Sequence, residues 1–307
     1  MIAENIVVKG VVRSSDGCQA HYVASDPRAS YTLIDPATNL QTYNPTHIDW
    51  VSPHHADYNL LPPEQAGFRW TRSTVEQIVR VTQDAADGFS EGCRTQLTLV
   101  DFARCFDRIY RERLLATLLE KGVPPAAVRW IAAFLAERKG RVRCGGQVSE
   151  AQTFEDGVPQ GTVLAPLLTA AFFADLPAAV RGDDAELGIS LFADDLAIAA
   201  TAASAAECQR RTQGALDRLE RWSNESLMEV NAGKSETILL VPSVRQANAV
   251  VEEDKVVKNP PVEVTYRGVK IPYRKAVRFL GVIIDEALTF VPHVDALHAD
   301  LQKRGAI

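Results

Sequence analysis

The chain has 307 residues, 46% hydrophobic and 23% charged, which suits one large or two ordinary globular domains and excludes a disordered chain. Its net charge of -6 argues against a dedicated nucleic-acid binder, although the stretch 244–307 is net basic, with ten basic against eight acidic side chains. The absence of an 18-residue apolar run and of a basic-headed leader, with five scattered cysteines and no C-x-x-C, predicts an intracellular chain with reduced thiols and neither signal peptide nor membrane span.

Residues 1–60, rich in Pro, Thr, Asn, Asp and His, predict an irregular extension with β-like pieces at 5–12 and 31–34. The stretch "STVEQIVRVTQDAADGF" predicts a helix capped by Ser73 or Thr74, with Val75, Ile78, Val79 and Thr82 on one face. A β run, "TQLTLVDF", ends in Asp101. Two helices follow: "RERLLATLLEKG", stopped by Gly122, and "PPAAVRWIAAFLAERKG", with Pro at its start and Gly140 after it. The alternating "RVRCGGQVSEAQTFE" predicts a hairpin, and "GVPQGTVLAPLLTAAFFADLPAAV" a loop leading into a buried helix. Two apolar strands then flank Asp194-Asp195, a long amphipathic helix covers "ASAAECQRRTQGALDRLERWSNESL", and "SETILLV" is a strand. A polar connection leads to a hairpin turning at Arg267-Gly268 and to the strand "AVRFLGVIID". This order predicts an α+β fold: a split βαβ antiparallel sheet with helices on one face.

Two adjacent aspartates between apolar strands admit two readings. An Asp-Asp pair is a good turn signal at an exposed hairpin tip. Alternatively, a cation offsets the mutual repulsion of Asp194 and Asp195, and hard divalent ions prefer such oxygen ligands. Asp101, at the end of the run Leu97–Val100, is a third carboxylate that the sheet can bring beside the pair, although a strand-end carboxylate is also ordinary. Three carboxylates at one sheet edge can hold two divalent cations about 3.5–4 Å apart, an arrangement suited to phosphoryl transfer. His54 with His55, and His293 with His298, lack ligand spacing.

The segments "LVDFARCFDRI", "GVPQGTVLAPLL", "FADD", "MEVNAGKSE" and "RFLGVIID" stand in the order of the reverse transcriptase palm motifs. Upstream, "PPEQAGFRWTRSTVEQI" resembles a finger motif of the same family. Over residues 61–298 the chain is similar to the reverse transcriptases of non-LTR retrotransposons, especially trypanosomatid-type elements. Each motif is weak alone; the ordered series is specific.

The resemblance implies an RNA-directed DNA polymerase with a right-hand palm, joining dNTPs to a primer 3′-hydroxyl on an RNA template with a DNA primer. It implies Asp101, Asp194 and Asp195 as ligands of two Mg2+ ions, with Mn2+ as an alternative. Lys234 matches the lysine that protonates departing pyrophosphate; a solvated loop lysine is its ordinary alternative. Phe106 stands at the sugar gate, where a ring collides with a ribose 2′-OH, or is a core aromatic. Gln160 and Gly161 match the loop under nucleotide and template, and Arg69 and Arg72 could meet phosphates. Phe279, Leu280 and Gly281 fall in the primer-grip hairpin. Expected boundaries are 1–60 for the unassigned extension, 61–243 for fingers and palm, and 244–307 for the primer grip and the start of a thumb. Trp70-Thr71 and Cys105 depart from the family pattern, and the fingers are expected to be partial, with weak or no activity from this chain alone. A non-enzymatic remnant that binds nucleic acid or protein, and an RNA-templated RNA polymerase, stand as alternatives.

Overall fold

Ser73 sets the start of helix α1 (Thr74–Ser90): its side-chain oxygen accepts a hydrogen bond from the Glu76 amide at 3.2 Å and caps the helix. The computed structural model describes residues 60–69, 72–144, 147–242 and 261–305. It also describes the backbone of short strands at Gly10–Arg13, Gln19–Tyr22, Tyr31–Ile34 and Gln41–Tyr43, paired antiparallel in that order, and at Glu252–Glu253 and Val256–Val257. The first β-like piece expected, 5–12, lies partly outside the described residues; the second matches Tyr31–Ile34.

After α1 come strand β1 (Arg94–Val100) and helices α2 (Arg111–Glu120), α3 (Pro125–Leu135), α4 (Ala165–Phe172) and α5 (Leu176–Arg181). Strands β2 (Gly188–Phe192) and β3 (Asp195–Ala202) precede the long helix α6 (Ala205–Ser226) and strand β4 (Glu236–Leu240). A hairpin, β5 (Ala276–Phe279) with β6 (Val282–Asp285), leads to helix α7 (Val291–Lys303). The sheet order is β2-β3-β1-β4, with every neighbouring pair antiparallel. Strands β1 and β2 therefore run parallel with β3 between them, as the β-helix-β-β-helix-β order anticipates.

Both faces of the sheet are covered, which corrects the expectation of helices on one face only. Leu196, Ile198 and Ala200 of β3 point into the larger core with Leu168, Phe172, Leu216 and Trp222 of α4 and α6. Phe102, Phe173 and Trp222 cluster there, with Phe102 and Phe173 centroids 5.0 Å apart. The intervening Ala197 and Ala199, with Leu97, Ile238 and Leu240, meet Val81 and Ala85 of α1 and Val277, Phe279 and Ile284 of the hairpin. The period-2 alternation of β3 is apolar on both sides, so both sides need cover.

Helix α1 buries a different face from the one predicted. Gln77, Val81, Ala85 and Gly88 are inside, while Val75 is 64% and Val79 55% exposed. Close approach selects size over hydrophobicity here: a Cβ on Gly88 would lie 2.7 Å from Thr201 Cγ2. Gln77 is buried because its side-chain oxygen accepts from the Ser190 hydroxyl. Two other expectations need correction. Helix α3 stops at Leu135 rather than continuing up to Gly140; Glu137 turns to φ +51°, and Arg138–Gly140 pairs with Gln152–Phe154. The run "AVRFLGVIID" is a hairpin, as the resemblance implies for Phe279, Leu280 and Gly281, rather than the single strand its apolar pattern suggests; it turns at Leu280-Gly281 with both φ positive. The Arg267-Gly268 hairpin stands as read.

Arg211 of α6 pins the loop that feeds β2. Its Nε and Nη2 donate to the two Asp184 carboxylate oxygens at 2.9 and 2.6 Å, and Nη1 donates to the Thr201 carbonyl at 2.6 Å. These bonds hold the Asp184 carboxyl below its usual range. A lowered pKa adds stability above the unfolded value and loses it as pH falls through the folded value. Arg211→Met is therefore expected to cost about 2–3 kcal/mol in urea unfolding at pH 7. The deficit should shrink as pH falls below the unfolded carboxylate value of about 4 and on through the lower folded one, beneath which Asp184 is protonated in either state. Among the described residues no helix is long and apolar enough to cross a membrane, and Cys93, Cys105, Cys144 and Cys208 are free thiols.

Candidate active site

The β2–β3 register sets the carboxylate pair. Phe192 pairs with Asp195, so the two turn residues are Ala193 and Asp194, and Asp195 begins strand β3. The tip is thus one residue earlier than an Asp-Asp turn. Ala193 has φ +58°, a position glycine ordinarily takes in a two-residue hairpin. Asp194 is half-buried and Asp195 is exposed at the rim.

Asp101 follows the last residue of β1, directly past the Val100–Leu196 pair, so strand pairing carries it toward the turn. Its amide donates to Ser235 Oγ at 3.1 Å, and its carbonyl accepts from the Asn231 amide at 2.8 Å. The three carboxylates lie within reach of one another's charge. Asp194 is raised above the usual range by burial and, to a lesser degree, by Asp101; Asp195 is raised by partial desolvation, then by Asp194 and Asp101. The Cys105 thiol is buried beside them and hydrogen-bonds Asp194, an interaction that favours the charged carboxylate; burial and Asp194 push the thiol's own pKa upward.

None of the three aspartates has a lysine or arginine at ion-pair distance among the described residues. Nor do three His, Cys, Asp or Glu side chains among those residues already close around one point as a metal site. What is present is three hard oxygen donors at adjoining strand ends, repelling and unneutralised. The chemistry of that donor set fits a hard divalent cation, whose charge offsets the repulsion.

The surrounding motif residues divide into two groups. Lys234 is exposed on a turn whose base is tied to Asp101: the Asn231 amide donates to Asp101 O, the Asp101 amide to Ser235 Oγ, and within the turn the Lys234 amide donates to Asn231 O. Phe106 is half-buried on the one-turn 3-10 helix Cys105–Arg108, packed at the margin of the larger core. The loop of "GVPQG" docks on that turn, since Val158 N–H donates to Phe106 O at 2.8 Å and Gly157 N–H to Ile109 O at 2.9 Å. Gln160 and Gly161 are exposed on the same loop, Gly161 at φ +79°.

The second group lies apart or is otherwise engaged. Arg69 Nη1 donates to the Pro62 and Gln65 carbonyls at 2.8 and 2.9 Å, and Arg72 pairs with Glu76. Phe279 is buried on the α1 face of the sheet, with Leu280 and Gly281 forming the hairpin turn.

Two positioning features escaped the sequence reading. Arg111 donates to the carbonyls of Phe154, Asp156 and Gly157, each at 2.9 Å, and staples the loop to α2. Gly157, at φ +79°, passes so close that a Cβ would lie 2.7 Å from both Phe106 O and Asp107 O. Gly157→Ala is expected to cost at least about 1–3 kcal/mol from backbone strain alone and to detach the loop. Thermal unfolding and proteolysis within 152–162 check this; an unchanged midpoint with an intact loop would count against it.

A family model described as "Reverse transcriptase (RNA-dependent DNA polymerase)" matches residues 28–284. The "Probable RNA-directed DNA polymerase from transposon BS" of Drosophila melanogaster is 29% identical over 241 residues, covering 77% of this chain and 25% of the relative. The "RNA-directed DNA polymerase from mobile element jockey" of Drosophila funebris is 29% identical over 247 residues, covering 80% and 25%. This chain thus spans about a quarter of the length of the curated relatives it matches. The "Structure of telomerase from Candida albicans in complexe with TWJ fragment of telomeric RNA" aligns at a TM-score of 0.50 and 9% identity, over 93% of this chain and 48% of that one. At that identity the likeness is one of fold alone.

Proposed function

The chain belongs to the reverse transcriptase family, and from that premise we propose that it is the RNA-directed DNA polymerase domain of a retroelement, with residues 61–243 as partial fingers and palm and 244–307 as primer grip and start of the thumb. Its partners are then an RNA template, a DNA primer and dNTPs. The observation that carries this reading is the placement of Asp101, Asp194 and Asp195 at adjoining strand ends, within reach of one another's charge and with no ion-paired cation among the described residues.

In this reading Asp101, Asp194 and Asp195 hold two Mg2+ ions, or Mn2+ in their place. Such ions supply Lewis-acid stabilisation of charge on the transferring phosphoryl group and a more acidic primer hydroxyl. The chain's own groups do the rest. Lys234, on the turn tied to Asp101, gives a proton to the departing pyrophosphate. The Phe106 ring excludes a 2′-hydroxyl, and Gln160 and Gly161 support the nucleotide and template from the docked loop. Phe279, Leu280 and Gly281 place the primer end. Arg69 and Arg72 reach phosphate only by exchanging the bonds they make within the protein.

The test is primer extension on an RNA template with dNTPs or NTPs, wild type beside Asp194→Asn. Divalent-dependent dNTP addition that the variant lacks supports the reading. Addition of NTPs instead makes the chain an RNA-templated RNA polymerase. Nucleic-acid or protein binding without extension makes it a non-enzymatic module.

A further inference from the structure

Gln65 is fully buried, and its carboxamide makes three hydrogen bonds at one place. Oε1 accepts from the amides of Ala193 and Gly67, both at 2.8 Å, and Nε2 donates to the Ala193 carbonyl at 2.9 Å. One side chain therefore holds both backbone polar groups of Ala193, the residue at φ +58° that precedes Asp194. An L residue there is strained, and such strain persists only where the surroundings impose it. The backbone beside Gln65 presses on the same point, since a Cβ on Gly67 would lie 2.2 Å from Ala193 N.

The segment carrying Gln65 is itself anchored. Ala66 N–H donates to Leu191 O at 2.8 Å and Leu191 N–H to Glu64 O at 3.1 Å, which extends the sheet past the edge of β2. Glu64 is buried and receives Arg181 Nη2 at 2.6 Å, while Arg69 donates to the Pro62 and Gln65 carbonyls. The loop ahead of α1 is thus tied to the carboxylate turn by a continuous set of bonds.

We propose that Gln65 is a positioning residue for the reaction: its carboxamide imposes the strained Ala193 conformation that orients Asp194 and Asp195 relative to Asp101, and so sets how tightly the three carboxylates take a divalent cation. Arg69 acts one step behind, by fixing Gln65. This rests on the polymerase reading of those carboxylates. A carboxamide serving only to satisfy buried backbone groups would stabilise the fold without being specific to the turn conformation.

The decisive comparison adds Ala193→Gly, because glycine adopts positive φ without strain and frees the turn from its clamp. Gln65→Met keeps the side-chain length and removes all three bonds. Its Mn2+ affinity, measured by titration of the folded chain, should fall at least about tenfold, and kcat should fall with little change in KM for dNTP. Gln65→Met with Ala193→Gly should recover most of the Mn2+ affinity. Wild-type affinity in Gln65→Met, or no recovery in the double variant, overturns the proposal. If Gln65→Met does not fold, Gln65→Glu serves in its place: as a carboxylate it keeps the acceptor for both amides, loses the donor and adds a charge. It is therefore compared with Gln65→Glu plus Ala193→Gly, which carries the same charge and should again bind Mn2+ more tightly. If the wild-type chain binds no Mn2+, the cation reading of the carboxylates fails on its own account. The clamp is then read by hydrogen exchange at the Ala193 amide, which Gln65→Met should speed at least about tenfold; unchanged exchange overturns it.

Discussion

Asp194→Asn is expected to lower primer extension by at least about 10³-fold in any form of the chain that extends, while the apo protein becomes more stable. The catalytic loss follows from removing one of three oxygen donors around charge that develops in phosphoryl transfer. The stability gain follows from the sign of the shift. Burial, reinforced by Asp101, raises the folded pKa of Asp194 above its unfolded value. A raised carboxylate contributes stability below the unfolded pKa and loses it as pH rises through the folded one. At pH 7 the ionised Asp194 therefore opposes folding, and neutral asparagine does not. With chelator present, the Asp194→Asn thermal midpoint should exceed wild type by a few degrees, the shift that ~1 kcal/mol produces in a domain of this size. The gap should close toward about pH 4, where Asp194 is protonated. Mg2+ should raise the wild-type midpoint more than that of the variant. A lower apo midpoint for Asp194→Asn at neutral pH would mean that the turn needs the charge, contrary to this account.

The elements that reported themselves in the sequence were those where one periodicity dominates. The four strands of the sheet, the capped α6 and the Arg267-Gly268 turn all carry local signals that the fold obeys. The readings that failed did so where close approach outranked hydrophobicity. Val75 and Val79 look like the core face of α1, yet Ala85 and Gly88 are the residues small enough to lie against β1 and β3. The hairpin inside "AVRFLGVIID" is absent from the strand pattern, where only the family resemblance implies it, because Leu280 takes a positive φ that no Asn-Gly pair announces. At the carboxylates the residue types were legible and the register was not. Pairing Phe192 with Asp195 leaves Ala193 in the strained position, and nothing local to "FADD" says that a glutamine about 130 residues earlier holds it. The segment "PPEQAGFRWTR" draws attention to its two arginines, Arg69 and Arg72, since charge suggests phosphate. Its most engaged side chain at the turn is instead the neutral one, visible in sequence only as a Gln two residues before a Gly.

Phe106→Val is the substitution expected to change substrate choice most. Phe106 sits on the turn Cys105–Arg108, five residues past Asp101, and its carbonyl accepts the Val158 amide that docks the "GVPQG" loop. Because that bond is made by the backbone, shortening the side chain should leave the loop in place. The ring is half-buried at the core margin, so its loss should cost about 1–2 kcal/mol, below the 3–5 typical of a fully buried phenylalanine truncated to alanine. Far-UV circular dichroism and the thermal midpoint establish that the variant is folded before its kinetics are compared. In the proposed reading the gate is steric: a valine leaves space where the ring would meet a 2′-hydroxyl. Relative kcat/KM for ribonucleotide over deoxynucleotide should rise at least about tenfold, corresponding to about 1.4 kcal/mol between the two transition states. Addition of dNTPs should change much less, since a deoxyribose never meets the ring edge. A folded, active variant with wild-type sugar discrimination would return Phe106 to the core and leave the choice of sugar to another wall of the site. A fall in both activities together would indicate instead that the ring mainly supports the turn carrying Cys105, the thiol hydrogen-bonded to Asp194.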